Sequence, residues 1–277
     1  MGAKTEIAWT DSTWNPLKGT KGRWHCTKVS EACDHCYAER MNVRFGGPKY
    51  RVGADDFQFN DRTLGDPIRW RRPRKIFVCS MTDLFHEDIP DHMIDRVFGI
   101  MAACRFSERH HHVFQVLTKR AKRMADYLNQ NRKREWADEA VHEYGGKDPD
   151  GLFDAIQFMP MDIPENIWVG VTVENQARAE ERVPHLLEVP AAVRWMSVEP
   201  MLEPIRLAPW IHRLDWVVVG GESGPQARPM DLGWARGLKG QCDGSMTPFF
   251  FKQTGGRGPK RNWAPVPPDL DIREFPR

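Results

Sequence analysis

Short apolar runs recur along the chain, with amphipathic stretches between them. The runs cover residues 75–80, 112–117, 166–172, 193–198, 215–220 and 248–252. Their Val, Ile and Phe content is nearly continuous rather than alternating, the pattern of strands buried on both faces. A further strand is predicted near residues 6–9. Between the runs, residues 91–106 place Ile94, Val97, Phe98, Met101 and Cys104 on one face at close to helical period. Residues 118–129 and 175–187 read as further helices. Alternating β and α elements predict a parallel sheet with right-handed crossovers. The expected fold class is α/β, a partial (β/α)6 TIM-like barrel, with a doubly wound sheet as the alternative. Residues 131–164 exceed what a crossover needs and predict an insertion with its own short helix. The barrel is expected over residues 1–255, and a Pro- and Gly-rich irregular tail over 256–277.

Composition narrows the class. The chain has 277 residues, 40% hydrophobic and 28% charged, which excludes a disordered chain. A net charge of +2 excludes a strongly basic nucleic-acid coat, although not local basic patches. No apolar run approaches the roughly 18 residues a membrane span needs, and the first residues form no apolar leader. These features predict a cytoplasmic protein in a reducing compartment. Six cysteines are too few for a disulfide scaffold, so clustered cysteines there point to metal or redox chemistry.

The predicted strands end in polar or small residues: Ser80, Thr82 and Asp83; Lys119 and Arg120; Glu174 and Asn175; Glu199; Gly220, Gly221 and Glu222. In a parallel α/β architecture ligands sit at the carboxyl ends of strands, so this set is expected to line one pocket. The plainer role for Asp83 and Asn175 is to cap the following helices. Three cysteines, Cys26, Cys33 and Cys36, fall in one short N-terminal segment. Thiolates bind zinc or iron–sulfur clusters. With His25 or His35 as a fourth ligand they would form a Cys3His zinc site. Without a fourth ligand they would suit a [4Fe–4S] cluster that keeps one iron open.

The spacing C-x6-C-x2-C, with Tyr37 after the last cysteine, resembles the radical S-adenosylmethionine (SAM) superfamily, whose commonest spacing is C-x3-C-x2-C. Several blocks together resemble an uncharacterised three-cysteine family frequent in phages, prophages and bacteria. They are residues 9–16, 26–30, 33–40, 117–120, 221–225 and 249–253. A weaker likeness to spore photoproduct lyase rests on Thr82-Asp83 and Thr118-Lys119. The resemblance implies a barrel of the radical SAM type, with Cys26, Cys33 and Cys36 holding a [4Fe–4S] cluster. SAM would be cleaved reductively to a 5′-deoxyadenosyl radical. It further implies an electron donor such as flavodoxin or ferredoxin, and a substrate that is DNA, RNA or a nucleotide. The superfamily's Gly-Gly-Glu after the second strand is replaced here by residues 79–83. Ser80, Thr82 and Asp83 are therefore candidates for the cofactor amine, and Lys119 or Arg120 for its carboxylate. Glu174, Asn175 and Glu199 are candidates for ribose, and Gly220, Gly221 and Glu222 for the adenine side.

Cys79 and Cys104 read as buried small hydrophobes, and Cys242 as a candidate hydrogen donor or fourth ligand. Residues 69–75 and the group Arg257, Lys260, Arg261 and Trp263 mix cations with indoles, as base-stacking patches do. Two rival readings stay open. One is a non-catalytic nucleic-acid-binding protein with a structural Cys3His zinc. The other is a metal-dependent hydrolase built on Asp83, Glu174, Glu199 and Glu222.

Overall fold

The computed structural model describes residues 5–19, 23–50, 56–106 and 111–276. Nine strands are described: β1 (Ser12–Trp14), β2 (Leu17–Gly19), β3 (Phe57–Phe59), β4 (Lys75–Val78), β5 (Val113–Thr118), β6 (Ile167–Thr172), β7 (Val193–Val198), β8 (Trp216–Gly220) and β9 (Phe249–Gln253). The helices are α1 (Tyr37–Arg44), α2 (Asp66–Arg69), α3 (Asp91–Phe106), α4 (Ala121–Leu128), α5 (Lys133–Tyr144), α6 (Pro149–Gln157), α7 (Gln176–Glu188) and α8 (Leu232–Ser245). Seven strands form one parallel sheet in the order β1-β4-β5-β6-β7-β8-β9, while β2 and β3 form a small antiparallel ribbon.

The strand order never reverses. A doubly wound sheet requires a reversal, so that alternative is excluded. Sequential parallel strands with right-handed crossovers place their helices on one face, and the sheet curls into a half-barrel with the other face inward. The strand side chains divide accordingly. Ile76, Val78, Phe114, Val116, Val169, Val171, Met196, Val198, Val217 and Phe249 belong to the large core shared with the helices. Phe77, Trp195, Trp216, Val218 and Phe250 instead pack with Trp9 as a separate inner cluster.

The inner cluster fills the amino-terminal half of the concave face with aromatics packed edge-on or tilted. Trp9 meets Phe77 and Trp195 edge-on at 4.8 and 5.2 Å. The C-terminal tail, expected to be merely irregular, completes this plug. Phe275 lies 5.2 Å from Trp216, and the Trp216 indole N–H donates to the Glu274 carbonyl at 2.8 Å. Gly170 makes the plug possible, because a Cβ there would come within 2.5 Å of the Trp195 indole. Gly170→Ala is expected to destabilise the chain by about 1–3 kcal/mol through overpacking, read as a lower urea midpoint.

Two expectations change in detail. The first strand lies at Ser12–Trp14, not near residues 6–9, because Trp9 turns into the plug. Asp11 then takes over the edge of β4, its carboxylate accepting the Lys75 N–H at 2.7 Å. The segment 131–164 carries two helices, α5 and α6, rather than one. Both pack on α3, so α3 is buried well beyond the single apolar face its period shows. Among the described residues no helix is long and apolar enough to cross a membrane.

Candidate functional site

The cysteine segment lies across the carboxyl edge of the half-barrel and is tied to four strand ends. After β4, Thr82 Oγ1 donates a short hydrogen bond to the His25 carbonyl, and Tyr37 OH donates to the Ser80 carbonyl at 2.8 Å. After β5, Arg120 Nη2 donates to the Thr27 hydroxyl at 2.7 Å and to its carbonyl at 3.3 Å. After β6, Arg178 on α7 binds the Glu31 carboxylate at 3.1 Å. After β8, Glu222 takes His35 Nδ1 at 3.1 Å, and Arg40 donates to the Ser223 carbonyl at 2.9 Å. Arg228 closes the set, bonding both Glu222 and the Glu31 carbonyl.

Within this frame, Cys26 and Cys36 pack with Trp24 and Met41 against Ala38, Tyr50 and Met81. Trp24 thus packs beside two of the thiols. Burial pushes the Cys26 thiol up to about 12; Arg120 opposes the rise, while Asp83, Cys36 and Cys33 add to it. A thiol held protonated in this way becomes a thiolate when a metal charge replaces its proton. Three thiols on one loop are the kind of donors that zinc or an iron–sulfur cluster takes. A tetrahedral ion with bonds of about 2.3 Å brings sulfurs to about 3.8 Å of one another. Among the described residues the group of donors lying mutually within 4.8 Å is instead His25, His86 and Asp88. A cubane gives each sulfur its own iron and holds the sulfurs further apart.

The two histidines considered as a fourth zinc ligand are turned elsewhere. His35 is held by Glu222, and the His25 ring packs 5.5 Å from both Phe57 and His86. Both His86 nitrogens are engaged, one with the Thr27 hydroxyl at 2.9 Å and the other with the Asp88 N–H at 3.1 Å. Burial, followed by the Arg120 charge, brings His86 down to about 4, so it is neutral near pH 7 and braces the loop.

The other predicted residues separate into structural and open groups. Asp83 is buried and accepts from Thr118, the Lys119 and Phe85 amides, and Arg120. Arg120 is fully engaged and therefore not available to a cofactor carboxylate. Glu174 is fully buried in a 2.9 Å pair with Arg182. Asn175 caps α7, accepting from the Arg178 N–H at 2.9 Å, the plainer of its two expected roles. Gly221 is glycine for steric reasons, since a Cβ would meet the Thr254 carbonyl at 2.0 Å. Ser80 exchanges hydrogen bonds with Asn15. The open part comprises Lys119, Glu199, Lys252 and Gly220. The Lys119 ammonium has no ion-pair partner among the described residues. Glu199 and Lys252 pair at the rim, and a Cβ at Gly220 would fill the space against them at 3.5 Å.

Several expectations are corrected. Cys242 is wholly buried near the end of α8, whose next residues lead into the amino edge of β9, so it lies at the wrong end of the sheet. Asp83, Glu174, Glu199 and Glu222 each pair with a different cation, so they form no hydrolytic metal centre. The patch at residues 69–75 lies at the amino edge of β4, with Arg74 stacked on Trp70 at 4.7 Å. Arg257, Lys260 and Arg261 are exposed, on the segment that pairs Gly256 with Ser223 beside the cysteine loop.

The sequence reading named Lys252 as a strand-end residue but missed His86, Arg228 and the contact between Arg40 and Gly224. That last signal was present in two separate sequence blocks. A Cβ at Gly224, whose φ is +122°, would come within 1.5 Å of Arg40 Nη1. The glycine of one block therefore exists to admit the arginine of the other.

A family model described as "Protein of unknown function (DUF5131)" matches residues 4–267. No curated protein and no solved structure matches the chain.

Proposed function

The chain belongs to the family Protein of unknown function (DUF5131), and we propose that it is a radical SAM enzyme on a partial TIM-like barrel. Cys26, Cys33 and Cys36 hold a [4Fe–4S] cluster, and SAM occupies the open carboxyl half of the curled sheet beneath them. One observation carries this reading: three partly buried cysteines sit on a loop pinned to four strand ends at the carboxyl edge of the half-barrel.

A cluster held by Cys26, Cys33 and Cys36 would supply the electron for reductive SAM cleavage. The chain's own residues bind and orient. Lys119 is placed to take the cofactor carboxylate, because its ammonium is free among the described residues while Arg120 is not. Glu199 with Lys252 offers partners to ribose hydroxyls. The aromatic plug fills the amino half of the concave face below. Arg257, Lys260 and Arg261 at the same edge favour a nucleic-acid substrate. Reduction falls to a cytoplasmic one-electron donor of the flavodoxin or ferredoxin kind.

The test is metal analysis of protein purified without oxygen. About four irons and four sulfides per chain are expected, with an absorption band at about 400 nm that bleaches on reduction. One zinc per chain and no iron would sink the proposal and move the assignment to a zinc-bearing binding protein.

A further inference from the structure

We propose that Arg120 is a positioning residue that sets the cluster's reduction potential through a charged hydrogen bond to the Cys26 sulfur. The inference rests on the cluster reading above. Nη1 of Arg120 lies 3.9 Å from Cys26 Sγ, within reach of an N–H···S bond. Nη2 of the same guanidinium holds both the carbonyl and the hydroxyl of the next residue, Thr27, so the ligand and its donor move as one unit. The Arg120 side chain is 4% exposed, so solvent and salt screen its charge weakly. Among the described residues no other cation reaches the sulfur of Cys26, Cys33 or Cys36. Cys26 otherwise contacts the Thr27 carbonyl at 3.6 Å, and Cys33 contacts the Ser30 hydroxyl at 4.0 Å.

Reduction adds one electron from a low-potential donor and leaves the cluster with its thiolates one unit more negative. A fixed positive charge at a ligand sulfur stabilises that added charge, one of the ways a protein sets such potentials. Two carboxylates temper it. Asp83 lies 3.1 Å from Nη1, and Glu87 lies 2.8 Å from Nε on the solvent side, 59% exposed. This gives a signed expectation. Removing the arginine lowers the potential, and removing the Glu87 charge raises it. A purely structural role for Arg120 predicts no opposite effect from Glu87.

The experiment is a redox titration followed by electron paramagnetic resonance, on the full chain with its cluster and without SAM. Arg120→Met is expected to disfavour reduction about tenfold, or about 59 mV for one electron. Glu87→Gln is expected to favour it about threefold. Iron content is measured alongside. Variants with full iron and unchanged potentials overturn the role of Arg120 and leave the cluster intact. A wild-type chain without iron overturns the cluster reading itself. If Arg120→Met does not fold, Glu87→Gln decides alone, because Glu87 is exposed and an unchanged potential there overturns the inference.

Discussion

Cys33→Ala is expected to abolish cluster binding while the chain still folds. Cys33 is only partly buried, at the end of a single helical turn, and contacts little beyond the Ser30 hydroxyl. Its truncation falls among surface changes, with a cost of about 0.5 kcal/mol or less. The loop stays pinned by Thr82, Arg120, Arg178 and Glu222, none of which touches Cys33. Three thiolates are already the minimum for a cubane with one open iron, so two do not retain it. Iron should fall to background, and reductive SAM cleavage by more than about a hundredfold, beyond the usual loss for an outer-shell partner. Cys242→Ala is the control. That residue lies buried at the opposite end of the sheet, and its variant should keep full iron. Normal iron and activity in Cys33→Ala would remove the basis for the assignment.

The strands and main helices were legible in the sequence because they are buried on both sides. A run such as Asp215-Trp-Val-Val-Val-Gly220 has few other ways to fold, and helix α3 starts and ends at the predicted residues. Strand β1 was not legible. Ser12-Thr13-Trp14 has no apolar run, and it is a strand only because β4 accepts it as an edge. The ribbon of β2 and β3 was hidden for a similar reason, since its partners lie far apart in sequence.

For the site, residue type was legible and role was not. Polar residues at strand ends were expected to line one pocket, but the sequence cannot show which carboxylate meets which cation. Asp83, Glu174 and Glu222 each found an arginine, and two of those partners, Arg182 and Arg228, belong to no recognisable motif. Much of the polar ring therefore holds the cysteine loop rather than a ligand. Lys119, one residue from the engaged Arg120, is left open by this partition.

Asp83→Ala is expected to destabilise the chain strongly. The carboxylate accepts four hydrogen bonds, and it is the buried counter-charge to Arg120, with side chains 9% and 4% exposed. Removing one member of a buried pair leaves an uncompensated charge, at a cost of about 3–5 kcal/mol. Asp83→Asn should recover part of the loss by keeping some hydrogen bonds but not the charge. The pH dependence separates the two contributions. Burial alone would raise the Asp83 carboxyl, but Arg120, the Thr118 hydroxyl and the Lys119 and Phe85 amides more than reverse it and hold it below its ordinary value. A depressed carboxyl contributes stability that is complete above its unfolded value of about 3.9 and is lost as pH falls through the lower folded value. Urea midpoints of the wild-type and Asp83→Asn chains should therefore differ most near neutral pH and converge in acid. The difference should persist at high salt, because the pair is buried. A gap that stays constant from neutral pH into acid would mean that the hydrogen bonds, and not the ion pair, hold this edge of the barrel together.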